Sequence, residues 1–188
     1  MKEKVFFSWV MILCVVRINA QGEYYTETTP AMAMEDKMTK LCFFYHSVFG
    51  GKNPNVVPIA QPKVIRNDTA LLPFGTLVAV NNAMRVGIEP TSKIIGRAKG
   101  LTLGVSQKDE FTIFGTCRDH GFITGKFSGS SFVLCSRNPI VEPEYEHAVI
   151  GGREKLRMAT GFAKVQTIFF NITIGYRVQK YEVTLFHY

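Results

Sequence analysis

Two short stretches carry side chains suited to chemistry. In "EPEYEHAVIGG", Tyr145 and His147 stand two residues apart, so on a strand they share one face. A phenolic proton beside an imidazole that titrates near neutral pH is a candidate acid/base pair. The competing reading of each is a solvated loop residue or a hydrogen-bonded group at a domain rim. In "LCFFYHSVFGG", His46 adjoins Ser47, an order that invites comparison with a base and its nucleophile. Adjacent strand residues point to opposite faces, so His46 cannot activate Ser47 directly. His46 reads instead as an outward, packed or interfacial histidine. Leu41, Phe43 and Tyr45 share a face with Ser47, while Cys42 and Phe44 join His46 on the other. Asp119 and His120 form a weaker pair, and Glu142, Glu144 and Glu146 read as a solvated strip.

These residues need a scaffold, and the chain has room for one. Its 188 residues are 46% hydrophobic and 12% aromatic, with 22 Lys+Arg against 15 Asp+Glu. That excludes a disordered or collagen-like chain and fits one domain with a sizeable core. "MKEK" followed by "VFFSWVMILCVV" and "RINA" has the charged, apolar and small-residue order of a cleaved secretory signal. The apolar run is too short for a membrane span, which takes about 20 residues. The expected domains are therefore a signal peptide at 1–20, a flexible polar arm at 21–39 and a barrel at 40–188. Losing residues 1–20 removes three positive charges and one negative one, which takes the formal charge from +7 to +5. "NDT" at Asn67 and "NIT" at Asn171 are candidate glycosylation sites in keeping with secretion. Cys42, Cys117 and Cys135 remain after the signal, an odd number that leaves at least one thiol unpaired. With no Cys-x-x-Cys and no Cys/His cluster, neither a metal site nor a cofactor is expected.

Between residues 40 and 188 the pattern is that of strands. Apolar or alternating runs at 40–48, 56–65, 74–81, 93–105, 111–117, 122–136, 157–169 and 176–187 are separated by Gly-Gly, Asn-Pro, Lys-Asp and lone Pro or Gly, all turn formers. Eight strands without helices predict an all-β antiparallel sandwich or closed barrel, and eight is the number that closes around one small-ligand cavity. Aromatics on both faces of the first strand call for an outer cover, from a second copy of the chain or from a loop or the N-terminal arm.

"FFYHSVFGGKNPN", "FGTLVAVNNAM", "SKIIGRAKGL", "TGKFSGSSF", "VIGGREKLRMATGFA" and "YEVTLFHY" together resemble plant dirigent proteins, in order and spacing, over 40–188. The resemblance implies a secreted, eight-stranded antiparallel barrel of the allene-oxide-cyclase-like kind, assembled as a trimer, with a central ligand cavity in each subunit. It implies no oxidative centre. Laccases or peroxidases would supply phenoxy radicals or quinone methides from monolignols such as coniferyl alcohol, and the barrel would direct their coupling in lignan biosynthesis. Relatives of this kind also dehydrate isoflavonoid alcohols through a quinone methide.

The family pattern places Asp after the first-strand His, a second Asp shortly after "SGSSF", and Arg a few residues before Gly-Gly. Here Ser47, Asn138 and Tyr145 stand at those places, and Asn81-Asn82 replaces an acidic pair. Phe43, Tyr45, Ser47 and Asn138 are thus the expected cavity lining, and Tyr145 and His147 the candidates to carry proton transfer. Three functions follow: a stereo-directing dirigent protein, a dehydratase or cyclase acting on a phenolic alcohol, and a non-catalytic wall protein that binds phenolics. Expected partners are small phenolics, like subunits, an external oxidase and, given the positive charge, acidic wall polysaccharide in the apoplast. Nucleic acid and membrane are not expected.

Overall fold

The structure is a computed structural model and describes residues 37–63, 72–107, 113–139 and 142–188. The expected signal peptide, most of the expected arm and Asn67 lie outside them. The strands are β1 (Lys37–Val48), β2 (Val56–Ala60), β3 (Leu77–Arg85), β4 (Ile94–Gly104), β5 (Ile113–Phe122), β6 (Ser131–Pro139), β7 (Glu144–Arg153), β8 (Thr160–Asn171) and β9 (Tyr176–His187), with one 3₁₀ turn at Glu154–Leu156. The order β1-β9-β8-β7-β6-β5-β4-β3 closes through β1–β3 into an eight-stranded antiparallel barrel, and β2 lies beside β3.

The expected count is right, but its members differ. The run expected at 56–65 yields a strand only to Ala60, where Pro58 interrupts the ladder and the register shifts. β5 continues past Cys117 to Phe122, the stretch 123–130 is a turn, and β7 was not among the expected runs. The barrel begins at Lys37, inside the expected arm, and β1 pairs along its whole length with β9.

Closure is by splice. β1 pairs with β3 only from Phe44 to His46, after which β2 takes over at Val56 opposite Val80. Asn55 joins the two pieces: its Oδ1 accepts from the Val48 amide at 2.8 Å, and its Nδ2 donates to the His46 carbonyl at 3.2 Å. His46 faces outward but is buried, because the turn at Gly87 lies over it. The Gly87 carbonyl accepts from Nε2 at 3.1 Å, which leaves Nδ1 to accept from the Tyr176 hydroxyl at 2.6 Å.

Alternation sends Phe43, Tyr45, Val78, Val80, Met84, Phe122, Phe132, Leu134, Val165, Tyr181, Val183 and Leu185 inward as one core. Each large side chain so buried contributes about 1.5–3 kcal/mol. At the end of the barrel where β7 turns toward β8, the chain turns tightly: a Cβ on Gly152 would sit 2.0 Å from the Leu156 carbonyl oxygen, so only glycine fits there. The outer face carries a row of cross-strand neighbours running Val57, Ala79, Leu101, Cys117, Cys135. All three described cysteines are free thiols, and that of Cys117 is pushed up to about 11 by burial and then by Cys135.

Candidate functional site

The barrel interior divides along its axis. In the middle, Phe43 stacks on Tyr181 at 5.4 Å between ring centroids, Tyr45 lies 5.2 Å from Tyr181, and His120 stacks on Phe132 at 4.9 Å. Above this plug, where β1, β4 and β8 end and β3, β5 and β9 begin, a cavity of about 320 Å³ opens. Its walls include Ser47, Val78, Val80, Asn82, Thr102, Arg118, Phe170 and Arg177. Ser47 is therefore in the cavity wall, whereas Phe43 and Tyr45 form the packed plug beneath it. Asn138, at the end of β6, is fully buried, and neither atom of its amide has a partner among the described residues. Asn171 ends β8 on the outside, its Oδ1 accepting from the Ile174 amide at 3.1 Å.

Tyr145 and His147 do share the inner face of β7, their rings 5.1 Å apart, while Glu144 and Glu146 are exposed. The Tyr145 hydroxyl accepts from Gln179 Nε2 at 2.5 Å. Burial pushes its pKa above the usual phenol value. His147 is held down to about 3, by burial first and then by the charges of Arg118 and Arg177. His120 is likewise held down to about 3, by burial and then Arg118, while its Nδ1 donates to the Arg118 carbonyl at 3.1 Å. Both imidazoles are neutral at pH 7, so neither is a populated general acid there. Asp119 points outward and pairs with Arg153 at 3.1 Å, so it is no partner for His120.

Sequence reasoning missed the strongest polar group inside. Arg118 is 5% exposed, lies directly across from Gly100 and over the Tyr45 ring at 5.4 Å, and donates from Nη2 to Thr102 Oγ1 at 2.7 Å. Gly100 lets it lie there, since β4 offers no side chain at that level. Asn82 was noted only as a departure from the family pattern; it donates from Nδ2 to Ser47 Oγ at 2.5 Å, and its Oδ1 has no partner. The signal for Arg118 was present in "GTCRDHGF", where Thr116, Arg118, His120 and Phe122 alternate inward. It was hidden by ending the strand at Cys117. Among the described residues, no buried side chain is Asp or Glu.

A closed barrel with an open cavity end and no Asp or Glu among its described buried side chains can hold a flat ligand by shape and donate hydrogen bonds to it. The family model for dirigent-like protein matches residues 38–186. The chain belongs to the dirigent family. It is similar to dirigent protein 15 of Arabidopsis thaliana, 36% identical with all of both chains covered. It is also similar to pterocarpan synthase 1 of Glycine max, 35% identical over 88% of each chain. Among solved structures it matches a pterocarpan synthase dirigent protein with TM-score 0.79 and 33% identity, covering 87% of this chain and 99% of that one.

Proposed function

We propose that this dirigent protein binds flat phenolic radicals or quinone methides in the cavity between Ser47 and Arg118 and directs their coupling by shape. The observation that carries this reading is the interior itself: largely apolar walls, hydrogen-bond donors that include Arg118 and Asn82, and no carboxylate among the described buried side chains. Radical pairing has almost no barrier of its own, so selectivity comes from holding two rings in one mutual orientation, and that needs no proton transfer. An external laccase or peroxidase supplies the radicals. Secretion, a trimeric assembly and retention on acidic wall polysaccharide belong to the same reading.

Ring closure is a different demand, because a hydroxyl nucleophile must lose a proton. A positioned acid/base group is commonly worth about 10²- to 10⁴-fold. With coniferyl alcohol and a laccase, the unmodified chain is expected to raise the share of side-chain-coupled dimers while enriching neither enantiomer of a pinoresinol-type product strongly. The combined change Ser47→Asp, Asn138→Asp and Tyr145→Arg is expected to raise that enrichment, and each single change to do less. A product distribution identical to that of laccase alone would sink the reading.

Kinship to the pterocarpan synthases favours a second reading, dehydration of a phenolic alcohol through a quinone methide, with Arg118 stabilising the phenoxide oxygen. Turnover of an isoflavanol without any oxidant would select it.

A further inference from the structure

The cavity holds charge that nothing described in the chain answers. Arg118 is buried; its Nη2 donates to Thr102 Oγ1 and its guanidinium lies over the Tyr45 ring, but its Nε–H has no acceptor among the described residues. Arg177 lies on the wall of the same cavity, its guanidinium 5.9 Å from the Phe170 ring centroid. Among the described residues the ion pairs lie elsewhere, Arg153 with Asp119 and Lys180 with Glu182. Two guanidiniums beside apolar walls, without a counter-ion, are an unfavourable arrangement for a protein alone. A ligand that brings the negative charge relieves it. A neutral phenol does not.

We propose that the cavity takes the carboxylate of a phenylpropenoic acid, anchored by Arg118 in the interior and met by Arg177 on the same cavity wall. The inference rests on the phenolic reading above and narrows its substrate class from alcohols to acids. Arginine suits the task because its planar fork matches a carboxylate in two hydrogen bonds. Val78, Val80 and Phe170 line the cavity for the ring. The neutral state of His120 and His147 fits as well, since neither imidazole competes with the arginines as a cation.

An acid substrate also removes the need for a protein base. Two phenoxy radicals, each formed by loss of one electron and one proton to an external laccase- or peroxidase-class oxidant, join through a carbon–carbon bond between their side chains. The product is a bis-quinone methide. A carboxylate oxygen of one unit then bonds to the benzylic carbon of the other. The π electrons move through the ring to the quinone oxygen, and the phenolate so formed takes a proton from water. Repeated on the second unit, this gives a dilactone. The nucleophile arrives already ionised, which matches an interior with no described Asp or Glu.

Calorimetric titration of the full chain at neutral pH with ferulate, its methyl ester and coniferyl alcohol tests the proposal. Ferulate is expected to bind at least about tenfold more tightly than the ester. Arg118→Gln should abolish that preference and Arg177→Gln reduce it, and ferulate with laccase should give an optically active dilactone. Equal affinity for acid and ester overturns the proposal, and if coniferyl alcohol still binds, the phenolic reading stands without it. No binding of any of the three at millimolar concentration overturns both. A racemic dilactone, or a preference that survives Arg118→Gln, also overturns it. If Arg118→Gln does not fold, Arg177→Gln decides, and an unchanged preference there overturns the proposal.

Discussion

The two ends of the barrel are built from the same alternating strands and differ in how their polar groups are treated. At the end closed by Gly152 and the 3₁₀ turn, Phe122, Phe132, Leu156, Ala159 and Leu185 belong to one apolar cluster. Of the polar atoms nearby, Ser131 Oγ accepts from Arg153 Nε at 3.0 Å and Ser130 Oγ from the Lys155 amide at 3.3 Å, while His120 Nε2 and Asp119 Oδ1 are buried without partners among the described residues. Toward the cavity end, Asn138, Gln179 Oε1, Asn82 Oδ1, Arg118 Nε and His147 Nε2 are buried without partners among the described residues. Native interiors leave few such groups, and each one costs stability. The closed end is dominated by apolar packing, and toward the open end more buried polar atoms lack partners, those of Asn82 and Arg118 beside the cavity.

The sharpest way to break this contrast is to cut into the closed end. Phe132→Ala should cost about 3–5 kcal/mol in urea unfolding, whereas removing polar groups at the other end should not. Arg118→Met should raise the stability of the ligand-free protein by about 1–4 kcal/mol, since a buried charge without a described counter-ion is replaced by an apolar chain of similar length. A loss of stability there would show that Arg118 holds the fold rather than a ligand.

The same contrast has a pH signature. In the unfolded chain both buried imidazoles take up protons below about pH 6.5, whereas in the fold His120 and His147 stay neutral down to about 3. Their contribution is therefore complete above pH 6.5 and is lost as pH falls toward 3. Stability should drop by on the order of 1–2 kcal/mol between pH 6.5 and 5.5, and His147→Gln should flatten that slope. A flat stability profile across this range would contradict the neutral-histidine interior. The smallest effect should come from outside: Asp119→Asn, which breaks the exposed pair with Arg153, should shift stability by less than about 1 kcal/mol.

This division also explains what the sequence revealed. Strands with apolar inward residues, such as Phe43 and Tyr45 in β1 or Tyr181, Val183 and Leu185 in β9, were legible by period alone. β7 was not, because its inward residues begin with Tyr145 and His147 and its outward ones are Glu144 and Glu146, so it looks like a solvated strip. β5 was cut short at Cys117 for the same reason, since the next inward residues are Arg118 and His120. Strand recognition relies on an apolar face, and the strands that carry the site are those whose inner face is polar. Ser47 could be placed in the cavity wall because it extends an aromatic face. Asn82 and Gln179 gain their roles only through partners 35 and 34 residues away.

The splice between β1 and β2 has a consequence for how the molecule comes into being. β1 meets β3 through only three residue pairs but meets β9 along twelve. During synthesis the first stave must therefore wait for a partner roughly 130–150 residues behind it. Contacts so distant form late, because the entropy of closing the intervening loop must be met before they reward it. Until then β2 to β8 can zip neighbour by neighbour into a curved open sheet with its future interior wet. The cavity is thus a property of the completed chain. A ribosome-bound chain halted before Tyr176 should bind no phenolic ligand even where its other strands already resist proteolysis.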